Sequence, residues 1–181
     1  ERAGLELEVV DGEREARLDA LGALAELGDE VRDGLLVDIG GGSTELVRIE
    51  NGAPTRGRSF AVGVVRLTER LLPTDPPTDD EREALERAAA AALAEGRALC
   101  VGPRSPSLEL VANSGTATTL AAVDLGIREL DPARIRGHRV DRSSVDRIYL
   151  ELVRLPAARR LEVPGVVRGR EDLIVAGLSL L

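Results

Sequence analysis

The stretch GLLVDIGGGSTELVRIENG, residues 34–52, constrains the fold more than any other part of the chain. Leu35-Leu36-Val37 has the apolar continuity of a buried strand, and it runs into Asp38, three glycines, two hydroxyl residues and a second acid, Glu45. Consecutive glycines forfeit side-chain packing and cost roughly 0.5–1 kcal/mol each in backbone entropy relative to alanine. Something there must need the bare backbone. The Asn51-Gly52 pair that closes the stretch is a strong hairpin signal between apolar-patterned runs. The expectation is a strand over 35–39, a glycine turn, a strand over 45–50, a tight turn and a third strand over 55–62.

Around this hairpin the remaining pattern is mixed. Leu5 to Val10 alternates apolar and charged residues and predicts a strand, followed by a helix from about Glu13 to Leu27 that Gly28 stops. Val64–Leu72 predicts a short helix, and Pro73-Thr74-Asp75-Pro76-Pro77 a rigid break. Thr78 with Glu81 three residues on forms a capping box for an alanine-rich helix running to about Leu99. A loop with Gly102, Pro103 and Pro106 leads to a strand over Leu108–Ala112. Ser114-Gly115-Thr116 then opens a helix that ends at Gly126. A strand near 136–141, a helix over Ser143–Val153 and a final helix from about Glu171 complete the pattern. A mixed sheet flanked by helices is the economical packing for this order, which places the chain in the α/β class. Three antiparallel strands followed by alternating helices and strands is also the order of a ribonuclease H-like lobe.

Composition narrows the chemistry. At 181 residues the chain fits one domain or one large lobe. No stretch approaches the roughly 20 unbroken apolar residues of a membrane span and no signal peptide opens the chain, so a cytoplasmic setting without a membrane partner is expected. The absence of methionine leads to the expectation of a piece of a longer protein. A single cysteine, Cys100, and a single histidine, His138, argue against a thiolate-imidazole zinc site, so any metal must be a hard ion held by oxygen. Cys100 is expected in the core and His138 in a strand or turn. Phe60 and Tyr149 are the only aromatics, and the net charge is −8, which together argue against base-stacking platforms and duplex nucleic acid as partners. The charge is uneven: residues 1–34 hold eleven acids against four arginines, whereas 134–170 hold ten arginines against four acids. The basic segment is either a solvated face or a grip for a long polyanion. Arg56, Arg58 and Arg66, which follow the glycine turn, could likewise steer anions.

A phosphate cradle needs several backbone N–H groups converging on one anion, with no side chains to hold it off. Gly40, Gly41 and Gly42 supply that access, and Ser43 and Thr44 add hydroxyl donors. Asp38 and Glu45 then flank the turn on opposite arms of one hairpin. Two carboxylates beside a phosphate repel it unless a cation lies between them, and Mg2+ takes a few carboxylates, waters and phosphate oxygens. A glycine-rich hairpin that binds nothing is the competing explanation.

LLVDIGGGSTELV, together with RSFAVGVVRLTE, ANSGTATTLAA and LPAARRLEVPGVVRGREDLIVAG, resembles the exopolyphosphatase and guanosine pentaphosphate phosphohydrolase family over nearly the whole chain. The resemblance implies an actin-like superfamily fold in which two ribonuclease H-like lobes enclose a phosphate cleft. Residues 1–11 would be a remnant of the first lobe and 12–181 the second. It implies Glu15 as the water-activating base, Asp38 and Glu45 as metal-associated carboxylates, and Gly40 through Thr44 as the second phosphate loop. Gly115 and Thr116 would form a further turn lining the cleft. By sequence position alone Glu15 shares a helical row with Leu18, Gly22 and Ala25, and a solvated surface residue is its other explanation.

The implied reaction is hydrolysis of a terminal phosphoanhydride by water, with Mg2+ assistance, on polyphosphate or guanosine pentaphosphate, and the resemblance leaves room for a homodimer of the longer protein. The family's first phosphate loop, an acid-x-Gly-x-Asn/Ser motif, is absent from these residues, so this chain alone is expected to fold but to hydrolyse polyphosphate poorly. Two alternatives stay open. One is an ATP-using kinase of the same superfamily, with adenosine near Gly115; the other is a non-catalytic anion-binding module.

Overall fold

The computed structural model describes residues 8–101 and 109–181. Helix α1 (Gly12–Leu27) starts where the Asp11 carboxylate accepts from the Arg14 amide, and it stops at Gly28, whose φ of 61° lies in the left-handed region. Strands β1 (Gly34–Ile39), β2 (Thr44–Glu50) and β3 (Ala53–Phe60) form the antiparallel meander that the glycine stretch predicts. Asn51 and Gly52 both take positive φ, 54° and 76°, the requirement of a tight turn matched to strand twist. Helices α2 (Val64–Leu71) and α3 (Asp79–Val101) follow. The capping box at the start of α3 is formed in both directions: the Thr78 amide donates to Glu81 at 2.8 Å and the Glu81 amide to the Thr78 hydroxyl at 3.3 Å.

Strand β4 (Glu109–Asn113) pairs parallel with β1, giving a four-stranded mixed sheet in the order β3-β2-β1-β4. Helix α4 (Ser114–Leu125) leaves β4 directly and ends at Gly126, again left-handed with φ 63°. Helices α5 (Pro132–Ile135), α6 (Arg142–Val153), α7 (Ala157–Arg160) and α8 (Ile174–Ser179) complete the order. One sheet face packs Leu36, Val47 and Ile49 against Ala16 and Ala20 of α1. The opposite face packs Val37, Ile39, Leu46 and Phe60 against α2, α3 and α8. A third cluster joins α4, α6 and α8 through Leu120, Ile148, Leu152 and Ile174.

Several expectations change. The strand predicted near 136–141 is absent. Asp131 caps the short helix α5, with Pro132 opening it, and Gly137 then takes φ 67°, which an extended strand cannot contain. His138 lies in the turn that follows, its Nε2 2.8 Å from Asp124. The final helix begins at Ile174 and not near Glu171, after a series of turns. Of the strand predicted over Leu5–Val10, residues 8–10 have no regular structure and 5–7 lie outside the described residues, as does the loop with Gly102, Pro103 and Pro106. Cys100 is buried in the core as expected, and burial pushes its thiol up from the ordinary value.

Candidate functional site

The hairpin register sets the site. Asp38 stands directly opposite Glu45, and Ile39 opposite Thr44, so Gly40-Gly41-Gly42-Ser43 forms the connection at the end of the sheet. The Gly40 amide donates to the Ser43 carbonyl at 2.9 Å and closes the turn. The Gly40 and Gly41 carbonyls point the other way, accepting the Val64 and Val65 amides at 3.0 Å each, and so cap the start of α2. With the carbonyls drawn toward α2, the amides of Gly41, Gly42 and Ser43 meet no acceptor among the described residues. Gly41 and Gly42 are exposed, and the Ser43 hydroxyl also makes no hydrogen bond there. A bare backbone is needed behind the turn as well, because a Cβ on Gly63 would stand 2.5 Å from the Gly41 carbonyl oxygen.

Thr44 departs from the sequence-based expectation. It is fully buried and its hydroxyl donates to the Val62 carbonyl at 2.6 Å, so it anchors the turn and offers no hydroxyl donor to an anion. Glu45 is also buried, and its Oε1 accepts from the Ser59 hydroxyl at 2.6 Å. Asp38 is half-buried and its Oδ2 accepts from Asn113 Nδ2 at 2.9 Å. Burial pushes Asp38 up to about 6, with Asp19 and Glu45 adding to the rise and hydrogen bonds from Asn113 and Ser114 opposing it. Asp19 is itself raised, by burial and then by Glu45. Asp19, Asp38 and Glu45 therefore form a mutually repelling trio on the α1 side of the sheet.

Glu15 lies on α1 one turn before Asp19, a spacing of about 5–6 Å between Cβ atoms. Its side chain is exposed, and among the described residues it makes no ion pair. The exposure of Leu18, Gly22 and Ala25 puts the rest of its helical row in solvent too. The helix itself is held tightly, since a Cβ on Gly12 would meet Ser59 Cβ at 2.7 Å, beside the hydroxyl that serves Glu45.

The second glycine turn closes the far side. Ser114 has φ 77°, unusual for a residue with a side chain, and its Oγ donates to the Ile39 carbonyl at 2.8 Å while accepting from the Ile39 amide at 3.3 Å. It pins the start of α4 to the end of β1. Asn113 occupies the cap position of α4 without capping it, because its side chain serves Asp38. The Arg170 guanidinium lies against Gly115, where a Cβ would stand 2.7 Å from Nη1. Thr116, expected to line the cleft, is buried against α8; a Cβ on Gly177 would meet its Cγ2 at 2.7 Å. The structure thus gathers Asp38, Glu45, Gly40–Ser43 and Gly115 at one end of the sheet, and turns Thr44 and Thr116 inward.

Asp19, Asn113 and Ser114 belong to the same arrangement. Asp19 was detectable as an acid four residues after Glu15 on the helix carrying Ala16 and Ala20. Nothing in the sequence marks Asn113 as a partner of Asp38.

The donor set fits a hard divalent cation. Every candidate ligand is an oxygen, and Asp38 and Asp19 are raised first by burial and then by neighbouring carboxylates. No cluster of three or more His, Cys, Asp or Glu side chains among the described residues forms a ready cage. Magnesium takes one or two carboxylates and completes its shell with water and phosphate oxygens, and Asp38 and Glu45 are two carboxylates opposed across the hairpin.

Comparison with known proteins points to one family from three directions. The model of the Ppx/GppA phosphatase family matches residues 1–181. Exopolyphosphatase 2 of Mycobacterium tuberculosis is 34% identical over 174 residues, covering 96% of this chain and 54% of that protein. Exopolyphosphatase 1 of Mycobacterium bovis is 32% identical, covering 96% and 50%. The crystal structure of the Ppx/GppA family member of Aquifex aeolicus superposes with a TM-score of 0.87 at 27% identity, covering 99% of this chain and 56% of that one. The chain spans about half the length of the relatives it matches.

Proposed function

The chain belongs to the Ppx/GppA phosphatase family, and from that premise we propose that the longer protein containing it releases the terminal phosphate of inorganic polyphosphate, or the 5′ gamma-phosphate of guanosine pentaphosphate, by attack of water. Residues 12–181 act as the second lobe of that protein, residues 1–11 as a remnant of the first, in a cytoplasmic setting. The observation that carries this reading is the set of unclaimed Gly41, Gly42 and Ser43 amides beside two carboxylates opposed across one hairpin.

These amides hold the terminal phosphoryl group, with the Ser43 hydroxyl as a further donor. Asp38 and Glu45 would hold Mg2+, which would supply charge to offset that developing on the departing phosphate. Ser59 and Asn113 keep the two carboxylates oriented, each by a hydrogen bond to one oxygen. Glu15 orients the attacking water and takes its proton. This assignment rests on the family resemblance and on the place of Glu15 one turn before Asp19 on α1.

The deciding experiment replaces Glu15 with glutamine in the longer protein. Loss of a positioned general base lowers the rate of phosphate release by roughly 100-fold to 10,000-fold. Because the side chain is exposed, thermal stability stays unchanged. An undiminished rate removes the hydrolytic role from Glu15.

A further inference from the structure

The glycine turn lies between two unlike flanks. On the α1 side stand three carboxylates: Asp38 and Glu45, opposed across the hairpin, and Asp19 of α1. On the opposite side the first turn of α2 is bolted to the turn through the Gly40 and Gly41 carbonyls. Arg66 rises from that first turn, and its Nε would stand 3.7 Å from a Cβ on Gly42. Among the described residues no carboxylate pairs with Arg66, and its guanidinium makes no hydrogen bond. Many arginines of this chain behave otherwise: Arg48, Arg58, Arg82, Arg136 and Arg142 all have acidic partners within 4 Å.

We propose that Arg66 is a substrate-binding residue, closing the phosphate seat of the Gly40–Ser43 turn from the side opposite the carboxylates. The inference rests on the phosphohydrolase reading and names the cation on this chain that the turn amides work with. A guanidinium is planar, permanently charged and able to donate two parallel hydrogen bonds to phosphate oxygens. Placed over Gly42, where the backbone presents its amides and no side chain intervenes, it reaches the same anion that those amides bind. Its position does not depend on a flexible loop. Arg66 N also approaches the Gly41 carbonyl at 3.4 Å, so the turn and the arginine's own backbone form one unit. The carboxylate flank repels a phosphoryl group until a cation fills it, whereas Arg66 attracts one at every pH the protein survives.

The test uses the longer protein with Mg2+ and three variants: Arg66→Ala, Arg66→Lys and, as a control for general surface charge, Arg154→Ala. Arg154 is exposed and distant in the chain, on α6's C-terminal cap. Calorimetry measures inorganic phosphate binding, and steady-state kinetics separate KM from kcat on a short polyphosphate. Arg66→Ala weakens phosphate binding and raises KM by roughly tenfold or more, as expected for a lost charge-assisted pair. Arg66→Lys recovers part of the loss, and Arg154→Ala changes neither quantity by more than about twofold. If wild type binds phosphate and Arg66→Ala binds it equally well, or if Arg154→Ala matches the effect of Arg66→Ala, the assignment to Arg66 is wrong while the phosphate seat stands. If wild type itself binds no phosphate, both the seat and the arginine assignment fall together.

Discussion

Burial and the carboxylates of Asp19 and Glu45 push Asp38 up to about 6, whereas in the unfolded chain it returns to its ordinary value of 3.8. Between those values the folded state holds a proton that the unfolded state has released. The contribution of Asp38 to the stability of the metal-free protein therefore falls as pH rises from 3.8 to about 6, then levels off. Replacing Asp38 with asparagine removes the buried charge and keeps an acceptor for Asn113. In EDTA, calorimetry is expected to give Asp38→Asn a melting temperature about 2–4 °C above wild type at pH 7, with no gain below pH 4. The same variant loses magnesium-dependent phosphate binding. A variant less stable than wild type at pH 7 would mean that the hydrogen bonds to Asp38 outweigh its desolvation. The pairing of Asp38 with Glu45 was legible in the sequence, since one strand must fold back on the other across a short turn. The commitment of Thr44 to Val62 and of Thr116 to α8 was not, because a hydroxyl's direction depends on which neighbours pack behind it.

Among the elements, α2 is the piece whose placement decides whether the turn can bind anything. Gly63 sits at its start with no room for a side chain, its Cβ position 2.5 Å from one glycine carbonyl oxygen and 2.7 Å from the other. Gly63→Ala forces α2 away from the turn. The expected cost is about 1–3 kcal/mol of stability, read from the urea midpoint, together with weaker phosphate binding. An unaltered midpoint would indicate that the turn yields without loss. Sequence signals located the end of α1, the start of α3 and the end of α4 well because caps and terminal glycines act locally: the Thr78–Glu81 box, Gly28 and Gly126 each do what their type predicts. They failed over 136–141 because the deciding residue, Gly137, can serve a strand or a left-handed turn. Its environment, with His138 drawn to Asp124 and Arg139 to Glu109 at 2.5 Å, selects the turn.

At the scale of the whole molecule, the basic segment is in part a solvated face whose arginines pair with the chain's own acids. Of the ten arginines between 134 and 170, six are engaged with acids among the described residues, and several of these pairs tie distant elements together: Arg136 with Glu26 at 3.0 Å, Arg147 with Asp124 at 3.5 Å and Arg160 with Asp75 at 3.4 Å. The basic segment is thus partly consumed in holding the chain to itself, while its Arg170 lies at Gly115 and Arg66, from outside the segment, at Gly42. The seat is also open, since Gly41 and Gly42 are exposed. On the proposed reading an open seat leaves water to compete with the fixed donors, and a second lobe would supply the wall that orients the leaving phosphate. The 181-residue chain by itself is accordingly expected to bind inorganic phosphate with Mg2+, yet to release phosphate from polyphosphate at least about 100-fold more slowly than the longer protein, under matched conditions in a phosphate-release assay. Comparable rates would mean that the Gly40–Ser43 turn, its carboxylates and Glu15 suffice without a second wall.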